Sequence, residues 1–78
     1  MTEPERARQW REHMNLTRSA LSALTGFSVA SIMDFELGYR RTTNVAIEAQ
    51  NWRRYKLCCA AVASGLTFDW GTVTIKLD

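Results

Sequence analysis

Eight of the ten basic residues in this chain are arginines: Arg6, Arg8, Arg11, Arg18, Arg40, Arg41, Arg53 and Arg54. A guanidinium is a planar fork of N–H donors that matches a phosphate or the edge of a guanine, so this inventory leans toward an anionic partner. The net charge is only +2, so the chemistry lies in where the arginines sit rather than in their sum. Scattered over solvated faces, the same residues would do no more than keep the chain soluble.

Other chemistry-bearing residues point away from catalysis. His13 is the one histidine, and no nucleophile motif, glycine-rich phosphate loop or paired metal-ligand spacing surrounds it. Cys58 and Cys59 are adjacent, and neighbours on a helix project about 100° apart, which suits neither a disulfide nor a chelate. They read as small core residues. Trp10, Trp52 and Trp70 read as core or interface, because base-stacking platforms sit mostly on strands and two of these lie in helical patterns. The expectation is a protein that is not an enzyme and uses no metal or cofactor.

The elements that must position the arginines follow from periodicity and capping. Thr2, Pro4 and Glu5 open a helix over about residues 3–14, on which Ala7, Trp10 and Met14 share a face. Thr17 caps a second helix carrying Ala20, Leu21 and Leu24 up to Gly26, and Ser28 caps a third that Gly38 stops. Two short helices joined by a tight glycine turn form a corner whose second member can stand out from the body and enter a groove. Thr42, Thr43 and Asn44 offer caps for a long helix over about residues 44–64, with a break near Gln50 and Asn51 as an alternative. Its apolar stripe is Ile47, Trp52, Tyr55, Cys59 and Val62. Beyond Gly65 the period changes to two, so a β-segment over about residues 66–77 is expected, either a single strand or a hairpin turning at Asp69–Trp70–Gly71.

With 78 residues the chain forms one domain, mostly α, a four- to five-helix bundle with a helix-turn-helix over residues 17–37 and a C-terminal β-strand or hairpin. A chain of this size buries only roughly 60% of its unfolded surface, so the core is thin or borrowed from a partner. No run of about 18 apolar residues is present, and Glu3, Glu5 and Arg6 stand where a signal peptide needs an apolar stretch. No membrane contact and a cytoplasmic location are the expectation.

The stretch from Trp10 to Gly38 resembles the lambda-repressor-like, Cro-type (XRE) helix-turn-helix family. The resemblance rests on Leu16-Thr17-Arg18, Leu21, the turn Gly26-Phe27-Ser28, then Ile32, Phe35-Glu36 and Gly38 followed by Arg40-Arg41. More loosely, Ala60 to Phe68 and the following strand are similar to phage and mobile-element members that end in a β-segment. The resemblance implies a structural pair between Arg11 and Glu36. It further implies that Ser28, Val29, Ala30 and Asp34 meet base edges, while Arg18, Arg40, Arg41 and the helix N-terminus at Thr43 and Asn44 hold the backbone of double-stranded DNA. The implied role is a sequence-specific transcriptional regulator, a repressor acting on a palindromic operator.

One feature of the third helix departs from a strong reader: it holds no Arg, Lys, Gln or Asn, the residues that make bidentate contacts to guanine or adenine. Val29 and Ala30 can touch thymine methyls, and Asp34 can accept from a cytosine amine or repel phosphate. Val29, Ala30 and Met33 together form an apolar patch that another protein could cover, so an anti-activator or adaptor acting through this helix is the alternative. The C-terminal β-segment needs a partner for its exposed edge. The same strand of a second subunit is expected there, making Trp70, Val73, Ile75 and Leu77 a homodimer interface with Trp70 against the long helix. A hairpin folded onto its own helices is the competing arrangement.

Overall fold

The computed structural model describes residues 1–71 and 73–75. It is mostly helical, with α1 (Glu3–His13), α2 (Arg18–Thr25), α3 (Val29–Leu37) and α4 (Ala49–Ser64), a two-residue pair of strands, β1 (Tyr39–Arg40) and β2 (Val45–Ala46), and a short hairpin of β3 (Leu66–Phe68) and β4 (Val73–Ile75). Among the described residues no single helix is long and apolar enough to cross a membrane.

The first three helices begin and end where their caps dictate. Thr2, Thr17 and Ser28 each sit in extended backbone and accept a hydrogen bond from an N–H three residues on, at Glu5, Ala20 and Ser31. Each bond satisfies one of the amides a helix leaves unpaired at its start. Gly26 ends α2 at φ +82° and Gly38 ends α3 at φ +90°, a left-handed conformation that costs glycine little. Gly38 is constrained twice, because a Cβ there would lie 2.8 Å from the Pro4 ring on α1. The three residues between α2 and α3 turn the chain so that the two helices meet at 111°.

The long helix starts later than the sequence suggests. Thr42, Thr43 and Asn44 do not cap it; they lie in the turn between β1 and β2, where Arg40 pairs with Val45 and Tyr39 with Ala46. Asn44 takes a positive φ of 57°, and the Arg40 carbonyl accepts the Asn44 N–H at 2.7 Å. Asparagine tolerates that conformation and β-branched Val45 favours strand, so the residues that make good caps here make a better turn. Helix α4 opens at Ala49 behind Glu48, which makes no side-chain capping bond, and runs unbroken through Gln50 and Asn51.

In the C-terminal segment the hairpin alternative is the one formed. Leu66, Thr67 and Phe68 pair antiparallel with Ile75, Thr74 and Val73, and Asp69–Trp70–Gly71 makes the connection, with Trp70 at φ 42°.

Leu21, Ile32, Phe35 and Tyr55 form the buried core, surrounded by Ala7, Trp10, Leu16, Phe27, Ile47, Trp52, Cys59 and Val62. The residues of the stripe expected on the long helix therefore face inward, although Ile47 precedes α4 instead of lying on it. Phe35 stacks on Tyr55 at 4.1 Å between ring centres, and Phe27 meets both rings edge-on at 5.6 and 5.4 Å. One ring each from the α2–α3 turn, α3 and α4 thus lock the corner to the long helix. Leu24, which recurs at helical spacing with Ala20 and Leu21, is 60% exposed.

Tyr55 carries the core's anomaly. Its hydroxyl is buried without a well-formed hydrogen bond among the described residues, the Cys59 thiol being the one weak partner beside it, and burial holds the phenol well above its ordinary pKa. A buried hydroxyl so poorly satisfied destabilises the fold. Tyr55→Phe keeps the ring stacking and removes the polar atom, so it should raise unfolding free energy by about 1 kcal/mol, read as a higher midpoint in thermal or urea denaturation.

Candidate nucleic-acid interface

Glu36 fixes the orientation of α3. Its carboxylate accepts from Arg11 twice, Nε at 2.6 Å and Nη2 at 3.0 Å, and from Arg18 Nε at 3.2 Å. Arg11 also donates from Nη1 to the Leu16 carbonyl at 2.8 Å. One acid on α3 therefore ties together α1, the segment leading into α2, and the first turn of α2. The Glu36 side chain is 3% exposed and that of Arg11 9%, and the hydrogen bond to Glu36 raises the Arg11 pKa above its ordinary value. The pair is accommodated at this depth because the geometry is bidentate and Arg11 Nη1 is satisfied by the Leu16 carbonyl. The pair of Arg11 and Glu36 matches the expectation from family resemblance. The second arginine is new: Arg18, expected at a phosphate, is drawn onto Glu36 with its side chain 37% exposed.

The outward side of α3 holds the other expected residues. Ser28 is exposed, but its hydroxyl accepts the Ser31 N–H and donates toward the Ser31 hydroxyl at 3.0 Å, so it is occupied in capping. Val29 and Ala30 are exposed, while Met33, expected to face outward with them, is half-buried. Asp34 and Arg41 come together: Arg41 donates from Nε to Asp34 Oδ1 at 2.6 Å and from Nη2 to the Ala30 carbonyl at 3.1 Å. Expected as separate contacts to DNA, these two residues are instead a pair. Arg40 is half-buried in β1 and borders a shallow recess with Ser31, Asp34, Ile47 and Asn51, which places it beside α3 as well.

Thr43 and Asn44 are displaced from their expected role. Both are exposed in the β1–β2 turn, so they supply no helix N-terminus for a phosphate. The true start of α4 brings the Glu48 carboxylate instead, which favours the helix dipole but excludes an anion. Trp70, at the hairpin turn, is 92% exposed and Phe68 64%, with their rings 5.9 Å apart; Trp70 is thus not covered by its own long helix. Val73 and Ile75 pair through their backbones with Phe68 and Leu66, and Leu77 lies outside the described residues.

Elsewhere, an apolar groove of about 390 Å³ runs between α1 and α4, lined by Trp10, Trp52, Tyr55 and Cys59 and sharing no residue with α3. Lys56 and Glu3 bridge the two helices there at 2.9 Å. Burial pushes the Cys59 thiol up to about 11, which keeps it protonated and unreactive at neutral pH. Among the described residues no group of His, Cys, Asp and Glu converges to hold a metal ion.

Removing the acid leaves a buried guanidinium unpaired. Glu36→Ala should cost about 3–5 kcal/mol, enough to unfold much of the population, whereas Arg18→Ala, whose partly exposed guanidinium leaves Glu36 paired with Arg11, should cost about 1 kcal/mol or less. Chemical denaturation of the two variants beside the wild type reads the difference.

Compared with protein-family models, curated proteins and solved structures, the chain matches none.

Proposed function

We propose that the chain is a helix-turn-helix protein that binds double-stranded DNA and regulates transcription, acting in the cytoplasm as a homodimeric repressor. The observation that carries this reading is the α2–α3 corner. Two short helices meet at 111° across a three-residue connection, and Glu36 and Phe35 anchor the inner side of α3 while Val29 and Ala30 stay uncovered. A major groove admits one helix, and a helix held rigidly at a corner can enter it without reordering the protein. Arg40 and Arg41 flank the same surface, where they suit phosphates and base edges.

The homodimer rests on the hairpin. A two-stranded hairpin is marginal by itself, and this one leaves Phe68 and Trp70 open to solvent. A second copy covering those rings would set two α3 helices against half-sites ~10 bp apart or a multiple of that. The family resemblance extends this to an autoregulatory repressor carried by a phage, plasmid or integrated element.

A specific observation favours the adaptor reading as runner-up. Helix α3 has no Arg, Lys, Gln or Asn of its own, and Val29 at 37% exposure and Leu37 at 47% give it apolar surface. The two readings separate in a gel shift on the gene's upstream region. DNA binding should weaken steeply between ~50 and ~200 mM salt, and Arg40→Ala should flatten the logarithmic salt slope by about one. No salt-dependent binding by the wild type, together with a defined protein complex that Val29→Asp abolishes, would establish the adaptor instead.

A further inference from the structure

Beyond the Ser28 and Ser31 hydroxyls, which bond to each other at its N-terminal end, the α3 surface that would face DNA carries only the Asp34 carboxylate as a hydrogen-bonding head group. Successive residues on a helix are turned by about 100°, so with Ile32 and Phe35 in the core, Ala30 and Leu37 lie on the opposite stripe and half-buried Asp34 lies on its flank, one turn from Ala30. That flank is where the Arg41 guanidinium rests. Arg41 leaves the β1–β2 turn, lays its side chain across α3, and is gripped at two atoms by Asp34 and the Ala30 carbonyl, at 2.6 and 3.1 Å. A guanidinium has five N–H groups; two are engaged here and three remain. The Arg41 side chain is still 39% exposed, against 18% for Asp34.

We propose that Arg41 is the residue through which this protein reads a guanine, and that Asp34 is its positioning residue rather than a base contact. This rests on the DNA-binding reading above and names the reader within it. The donor that α3 lacks is supplied from the neighbouring turn. A free arginine must lose rotamer freedom to make a bidentate contact, whereas one already clamped at Nε and Nη2 presents its remaining donors in a fixed plane. The clamp also disposes of the electrostatic objection to Asp34. Its negative charge lies under a guanidinium at contact distance, so the outer face of α3 offers DNA a neutral pair with donors outward instead of a bare carboxylate.

Loss of a base contact changes which sequence is preferred, whereas loss of a phosphate contact weakens binding to all sequences alike. The test is selection of binding sites from a randomised duplex pool at fixed salt, with wild type, Arg41→Lys, Arg41→Ala and Asp34→Ala, each checked for an unchanged helical circular-dichroism spectrum. Wild type should enrich guanine at one position in each half-site, preferring it roughly ten- to a hundredfold. Arg41→Lys keeps the charge but loses the planar fork, and it should lose that preference while the other positions stay enriched. Asp34→Ala should relax the same position even though overall affinity holds or rises. An unchanged consensus with a uniform drop in affinity for both Arg41 variants would make Arg41 a phosphate contact and overturn the proposal, with DNA binding intact. Wild type that enriches nothing and binds no duplex would overturn both this and the reading on which it rests.

Discussion

A single buried carboxylate holds the geometry on which everything else depends. Glu36 comes from the inner flank of α3, yet its partners come from α1 and α2, and the Arg11 guanidinium reaches further to the Leu16 carbonyl. In a chain of 78 residues the apolar core alone is too small to fix three helices at defined angles. Hydrogen bonds have direction where apolar contacts do not, so the ion pair sets the angle of α3 while the core supplies the cohesion. Whether such a buried pair adds net stability over an apolar replacement is secondary. Its effect is to choose one arrangement of the corner.

The aromatic cluster makes the complementary half of that corner. Phe27 in the turn, Phe35 on α3 and Tyr55 on α4 contact one another directly, so the inner side of α3 is filled by large rings. Its outer side then has small residues, Val29 and Ala30, and the carboxylate of Asp34. The small residues at the N-terminal end of that outer side, ahead of Met33 and Leu37, leave room there for another element to lie across it. Arg41 does so, and the β1–β2 turn that delivers it is the same turn that delays the start of α4. The late start of α4 and the placement of Arg41 on α3 are therefore one structural event: had residues 42–44 become the first turn of the long helix, Arg41 would leave α3 in a different direction.

Local signals were legible in the sequence because each acts within a few residues. Thr17, Ser28, Gly26 and Gly38 mark the ends of α2 and α3 through hydrogen bonds and backbone angles close at hand. The inward stripe of α4 was legible from its period. The start of α4 was not, because threonine and asparagine serve a helix cap and a reverse turn equally well, and the choice is made by pairing Arg40 with Val45. The site was legible in part. Arg11 and Glu36 came through family resemblance, whereas Arg18 on Glu36 and Arg41 on Asp34 join residues that no periodicity links. Long, flexible arginines find partners across the fold, and their destinations depend on tertiary distances that a sequence does not display.

The central claim is that the outer stripe of α3, with the arginine laid across it, is the surface this protein presents to DNA. Titrating isotope-labelled protein with duplex from its own upstream region, and following backbone amide chemical shifts, tests that claim directly. The account predicts that the largest changes fall on Ser28 to Asp34 and on Arg40 and Arg41, with the Arg41 side-chain Nε–H signal moving among them, while Trp10, Trp52 and Cys59 in the α1–α4 groove stay still. Changes confined to that groove, or no change at α3 at any DNA concentration, would contradict it.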